Sequence, residues 1–175
     1  MGRLPWLALF LRRARRLRPV LPMAVLLSRL GIGLVSQVPP PADESEHLMP
    51  LPAPGSTSTS RYVVDTGDTA AALGSGDLPV LATPRLLAWC EAVCCAAVAD
   101  AVPDATSTVG TRMSLEHLRP TPVGRSLEVT AVLAHADGRL LRFEVMARDE
   151  AGKVIAQGEI TRVAVQRDRY LDRIG

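Results

Sequence analysis

Residues 86–99 read LLAWCEAVCCAAVA, and Glu91 is the one charged side chain among them. A bare carboxylate is costly to bury unless a partner pairs with it or it keeps its proton. Glu91 therefore either reaches solvent along a seam or dimer edge, or lines a pocket as a base or nucleophile. His117 is its natural partner. An imidazole titrates near neutrality, and this one ends a predicted strand just ahead of the turn RPTPVG. The bland reading of His117 is an ordinary surface histidine. His47 sits in linker-like sequence, and His135 beside a turn.

The helix that carries Glu91 has a clear start. Thr83 is a good N-cap and Pro84 suits the first helical position, so the pattern predicts a helix running to about Val102, where Pro103 stops it. Glu91 lies eight residues after Thr83, about 80° round the helix by its geometry, so the two need not share a face. The helix is apolar nearly all round, which requires something to wrap it. Cys90, Cys94 and Cys95 fall within it. Helical spacing keeps them from pairing comfortably with one another, and three thiolates without a nearby His make a poor metal set. They read as small buried hydrophobes in a reducing compartment, hence a cytoplasmic protein.

Strands follow. Residues 61–65 alternate weakly, and 108–118, 126–135, 139–148 and 154–165 read as longer strands. Residues 121–124 form a turn, Asp137-Gly138 is a two-residue hairpin signal, and Gly158 suits a bulge. The order is a strand, a buried helix, then a four-strand antiparallel meander. An apolar helix and a sheet with one oily face are satisfied together when the sheet curls round the helix, giving an α+β fold. Gly74 and Gly76 lack the GK[ST] and βαβ context of a phosphate loop.

Composition narrows the partners. The chain has 175 residues, 47% hydrophobic but only 3% aromatic, so no stacking platform for single strands is available. Its net charge of +2 is uneven. Residues 1–50 hold seven arginines against Asp43, Glu44 and Glu46, which leaves the remainder mildly acidic and disfavours nucleic acid. Residues 1–59 read as a basic, apolar leader followed by a Pro/Ser-rich linker, with no packed core of their own, and residues 60–175 as the folded domain. Pro22 and Arg29 break the leader's apolar run. Two readings fit residues 1–40: an amphipathic segment on an anionic membrane surface, or sequence upstream of a start at Met23, Met49 or later.

The motifs TVGTR at 108–112, EHLRPTPVG at 116–124, DGRLLRFEVMARD at 137–149 and GEITRVAV at 158–165 resemble the hotdog-fold thioesterases, and most closely the fluoroacetyl-CoA thioesterase-like group. The resemblance covers about residues 60–168. It implies an antiparallel sheet wrapped round one long central helix, and an acyl-CoA thioesterase that acts as a homodimer with its sites at the interface. It also implies a catalytic set of Thr83, Glu91 and His117. Gly110 would lie where the thioester carbonyl nears the backbone, and Arg162 near the bound CoA. No metal or organic cofactor is implied.

The group's specialised member has an aromatic lid residue ahead of the threonine. Here no aromatic falls between Tyr62 and Trp89, so a more general acyl substrate is expected. The alternative is a non-catalytic acyl-CoA or small-ligand binding module on the same fold. A hydratase would want an Asp–His pair on one segment, and none is present.

Overall fold

The computed structural model describes residues 52–175. The leader, most of the linker and both readings of residues 1–40 lie outside the described residues. Five strands form one sheet: β1 (Thr57–Val63), β2 (Thr106–His117), β3 (Ser126–Asp137), β4 (Leu140–Asp149) and β5 (Val154–Gln166). The helices are α1 (Ala70–Leu73), α2 (Thr83–Ala96) and α3 (Arg167–Asp172). No helix among the described residues is long and apolar enough to cross a membrane.

The sheet is antiparallel throughout, in the order β1-β3-β4-β5-β2. Strands β3, β4 and β5 form the expected meander, but β2 does not join its sequence neighbour. It pairs with β5 at the edge. The cause lies in residues 118–125. Pro120 and Pro122 hold this connection extended. It runs past the start of α2, where Thr121 O accepts from Leu81 N–H at 2.8 Å and Val80 bridges Pro122. The chain then enters β3 beside β1, on the far side of the meander. The same crossing brings the end of β2 to the start of α2.

The core follows the pleat. Leu127, Val129, Ala131 and Leu133 of β3 and Leu141, Phe143, Val145 and Ala147 of β4 alternate inward, as period-2 patterning requires. They meet Leu86, Cys90, Val93 and Cys94 of α2. Tyr62 of β1 stacks on Trp89, ring centroids 4.5 Å apart. Burial pushes the Cys90 and Cys94 thiols up to about 12, so both are protonated packing groups. The sheet wraps α2 as expected, and among the described residues Ala88, Ala92 and Ala96, one turn apart, are left exposed.

Several boundaries differ from the sequence reading. Strand β1 begins at Thr57, ahead of both residue 61 and the expected domain start near Ser60. Helix α2 ends at Ala96, and a separate 3-10 turn fills Ala99–Ala101 before Pro103. The β3–β4 loop is Gly138-Arg139, with Asp137 already paired to Leu140. The expected bulge at Gly158 is absent. Gly158 sits in regular register opposite Leu115 and Val145, and the irregularity in β2 falls between Gly110 and Arg112. Gly158 is needed for close approach instead, since a Cβ there would overlap the Ser114 carbonyl oxygen. Gly158→Ala should therefore cost about 1–3 kcal/mol of stability through overpacking. A urea midpoint unchanged from wild type would show that β2 and β5 separate freely.

Candidate active site

Two polar pairs lie along β2. The first is built on Glu91, whose side chain is 31% exposed. Its Oε1 accepts from Arg162 Nη1 at 2.6 Å. Arg162 is buried, and its other two nitrogens are engaged as well. Nε donates to Thr108 Oγ1 at 3.0 Å and Nη2 to the Thr108 carbonyl at 2.8 Å. The guanidinium is thus fixed by three bonds, and it fixes one carboxylate oxygen in turn. Gly110 lies opposite Arg162 in register, and a Cβ on it would fall on Glu91 Oε1. The glycine makes room for the carboxylate against the strand. Glu91 Oε2 has no hydrogen bond to any described residue, so it is the oxygen open to a water or substrate.

The second pair is Thr83 and His117. Thr83 was expected to cap the helix, but Ala82 occupies the cap position, and it has no side-chain cap. The helix start is held by other means: Ala82 N–H donates to the Asp68 carbonyl at 2.9 Å, and Arg85 pairs with the Asp68 carboxylate at 2.8 Å. The Thr83 hydroxyl is therefore free to meet His117 Nδ1 at 2.9 Å. Burial lowers the pKa of His117 below the ordinary imidazole value, against a smaller opposing effect from the Arg119 backbone, so the ring is neutral at pH 7. Its Nε2 is buried with no partner among the described residues. A cavity of about 320 Å³ opens beside this pair.

Within one chain, no hydrogen bond or ion pair joins Glu91 to His117 among the described residues. Helix geometry explains it. Eight residues of α2 separate Thr83 from Glu91, a rise of about 12 Å. On β2, His117 lies against Thr83 and Gly110 against Glu91, seven residues and on the order of 20 Å apart along the strand. Arg162, expected beside bound CoA, points all three nitrogens at groups within the chain. Thr108, the first residue of the TVGTR motif, holds Arg162 through both its hydroxyl and its carbonyl, a role the motif does not state. The one available signal was its position two residues before Gly110, on the same face of the strand.

A family model described as fluoroacetyl-CoA-specific thioesterase matches residues 64–168. The chain belongs to this family. A solved structure of the fluoroacetyl-CoA thioesterase FlK is 26% identical, with TM-score 0.65, and the match covers 70% of this chain and 94% of that one. A FlK variant in complex with acetyl-CoA is 24% identical, with TM-score 0.66, covering 70% and 96%. A thioesterase superfamily member from Thermus thermophilus shares the fold at 20% identity, with TM-score 0.67, covering 72% and 93%. No curated protein matches the chain. As a member of the fluoroacetyl-CoA-specific thioesterase family it is a thioester hydrolase of the hotdog fold, with acyl-CoA thioesterase activity.

Proposed function

We propose that the protein hydrolyses an acyl-CoA thioester at a site shared by two copies of the chain. In this reading Glu91 of one protomer acts on a carbonyl held by the partner's Thr83 and the partner's His117. The observation that carries it is the separation of the two polar pairs. Each pair is well made, yet one chain holds them about 12 Å apart along α2. Among the described strands β2 lies at the sheet edge, and an unpaired edge recruits another strand. An antiparallel pairing of two β2 edges centred between Met113 and Ser114 sets Gly110 opposite the partner's His117. The exposed alanines of α2 would then meet their own copies in a homodimer, an isologous contact.

The chemistry needs little beyond these groups and water. Glu91 Oε2 takes a proton from water while the water oxygen bonds to the thioester carbon. The negative charge moves to the carbonyl oxygen, which the Thr83 hydroxyl stabilises. As the carbonyl re-forms, the C–S bond breaks and CoA leaves as a thiolate that takes up a proton. The alternative, direct attack by Oε2 to give an anhydride that water then cleaves, uses the same groups. Arg162 positions Glu91 in either case. Three free thiols fit a reducing compartment, and we place the protein in the cytoplasm.

Purified protein given acyl-CoAs and a thiol-reactive dye tests the reading. Release of CoA above buffer supports it. No release from any thioester leaves a binding module instead. The state of His117 adds a second expectation. Its folded pKa is depressed, so its contribution to stability is present above the unfolded value of about 6.5 and is lost as pH falls through the folded one. An NMR titration of the ring should give a midpoint below 6.5. A midpoint at or above that value contradicts the buried, neutral imidazole.

A further inference from the structure

The cavity beside Thr83 and His117 has a wall that the hydrolytic step does not use. Leu78, Val80 and Leu81 line it from the segment ahead of α2, with Pro84 from the helix start and Leu118 and Pro120 from the segment after β2. Leu78 and Leu118 are 60% and 53% exposed in the single chain, two leucines at the edge of one cavity. Ser75, Asp77 and Arg119 add polar groups to the lining, and large apolar side chains exposed around a concave site with a few polar groups mark a place where hydrocarbon is taken up. The volume is generous for a two-carbon acyl group. The cavity volume is about 320 Å³, and it opens to solvent on one side.

We propose that this cavity receives an aliphatic acyl chain longer than acetyl, and that Leu78 and Leu118 set the chain-length preference. The inference rests on the thioesterase reading above. It adds a substrate class that the Thr83–His117 pair alone does not specify. The expected signature is graded. Each methylene moved from water to this wall should raise kcat/KM about three- to fourfold, which makes hexanoyl-CoA roughly a hundredfold better than acetyl-CoA. Chains that outgrow the cavity should lose the increment.

The test is kcat/KM for acetyl-, fluoroacetyl-, butyryl-, hexanoyl-, octanoyl- and dodecanoyl-CoA. It is run on wild type and on Leu78→Trp, which fills the cavity from one side, and Leu118→Ser, which removes apolar wall from the other. Both positions are exposed in the single chain, so neither variant disturbs its core; Leu118 directly follows His117 at the proposed seam, so size-exclusion chromatography of each variant checks that the dimer is kept. A rise from acetyl to hexanoyl or octanoyl, with the hexanoyl-to-acetyl ratio falling at least tenfold in each variant, supports the proposal. Acetyl- or fluoroacetyl-CoA preferred by wild type overturns the chain-length claim but leaves the hydrolase standing. So does a ratio that neither variant moves. A wild type that hydrolyses no thioester in the series removes both.

Discussion

Glu91→Gln should lower kcat/KM for any accepted acyl-CoA by on the order of 10³, within the range of about 10²–10⁴ expected for loss of a positioned acid–base group. The substitution is nearly isosteric, and an amide oxygen can still accept from Arg162 Nη1, which now donates to Oε1 at 2.6 Å. The buried guanidinium keeps both bonds to Thr108. Folding is therefore expected to survive, and the loss should fall on kcat. A Gln variant that hydrolyses thioesters at the wild-type rate, with its unfolding midpoint unmoved, would place the chemistry elsewhere in the molecule.

Arg162→Met should impair both activity and stability. The residue is buried, and its three nitrogens are satisfied by two residues on two different elements, Glu91 of α2 and Thr108 of β2. Methionine fills much of the volume but leaves the Thr108 carbonyl and Glu91 without their donor. Glu91 is nearly a third exposed, so water recovers part of the loss, and a cost of about 1–3 kcal/mol is expected. Freed from the fork, the carboxylate can turn away from Gly110. The expected fall in kcat is about a hundredfold, the order attached to small misplacements of reacting groups. Two measurements separate the effects: the unfolding midpoint reads the packing, and kcat at a temperature where the variant is fully folded reads the positioning. If kcat holds while stability drops, Arg162 is a structural residue alone.

Much of the architecture was legible in the sequence because it rests on local patterns. Alternation gave the four long strands, and the Thr83-Pro84 step gave the start of α2. What failed depended on contacts distant in sequence. Nothing in residues 108–118 states that their partner is β5 rather than β3. That pairing follows from where Pro120 and Pro122 carry the chain. The helix cap failed for a related reason. Thr83 has the right chemistry for an N-cap, but Asp68 anchors the helix start from outside, and the hydroxyl is left for His117. Gly158 read as a bulge because a glycine within a strand has two uses, and only the packing of β2 chooses close approach. For the site, sequence brought Thr83, Glu91, His117, Gly110 and Arg162 to notice but not how they group within one chain. Glu91 sits with Arg162 and Gly110, and Thr83 with His117. A buried arginine is a plausible partner for a lone helical carboxylate, yet no spacing rule links positions 71 residues apart.

The central claim is that the working site takes Glu91 from one chain and the imidazole from another. Glu91→Gln and His117→Ala chains carrying different affinity tags can be co-expressed and the hybrid dimer purified on both tags. Each parent is expected to be inactive. The hybrid holds one site with both mutations and one with neither, so it should recover about half of the wild-type rate per dimer, as two-fold symmetry requires. A hybrid no more active than its parents, or a protein that yields no hybrid because it remains a monomer, would contradict the shared site.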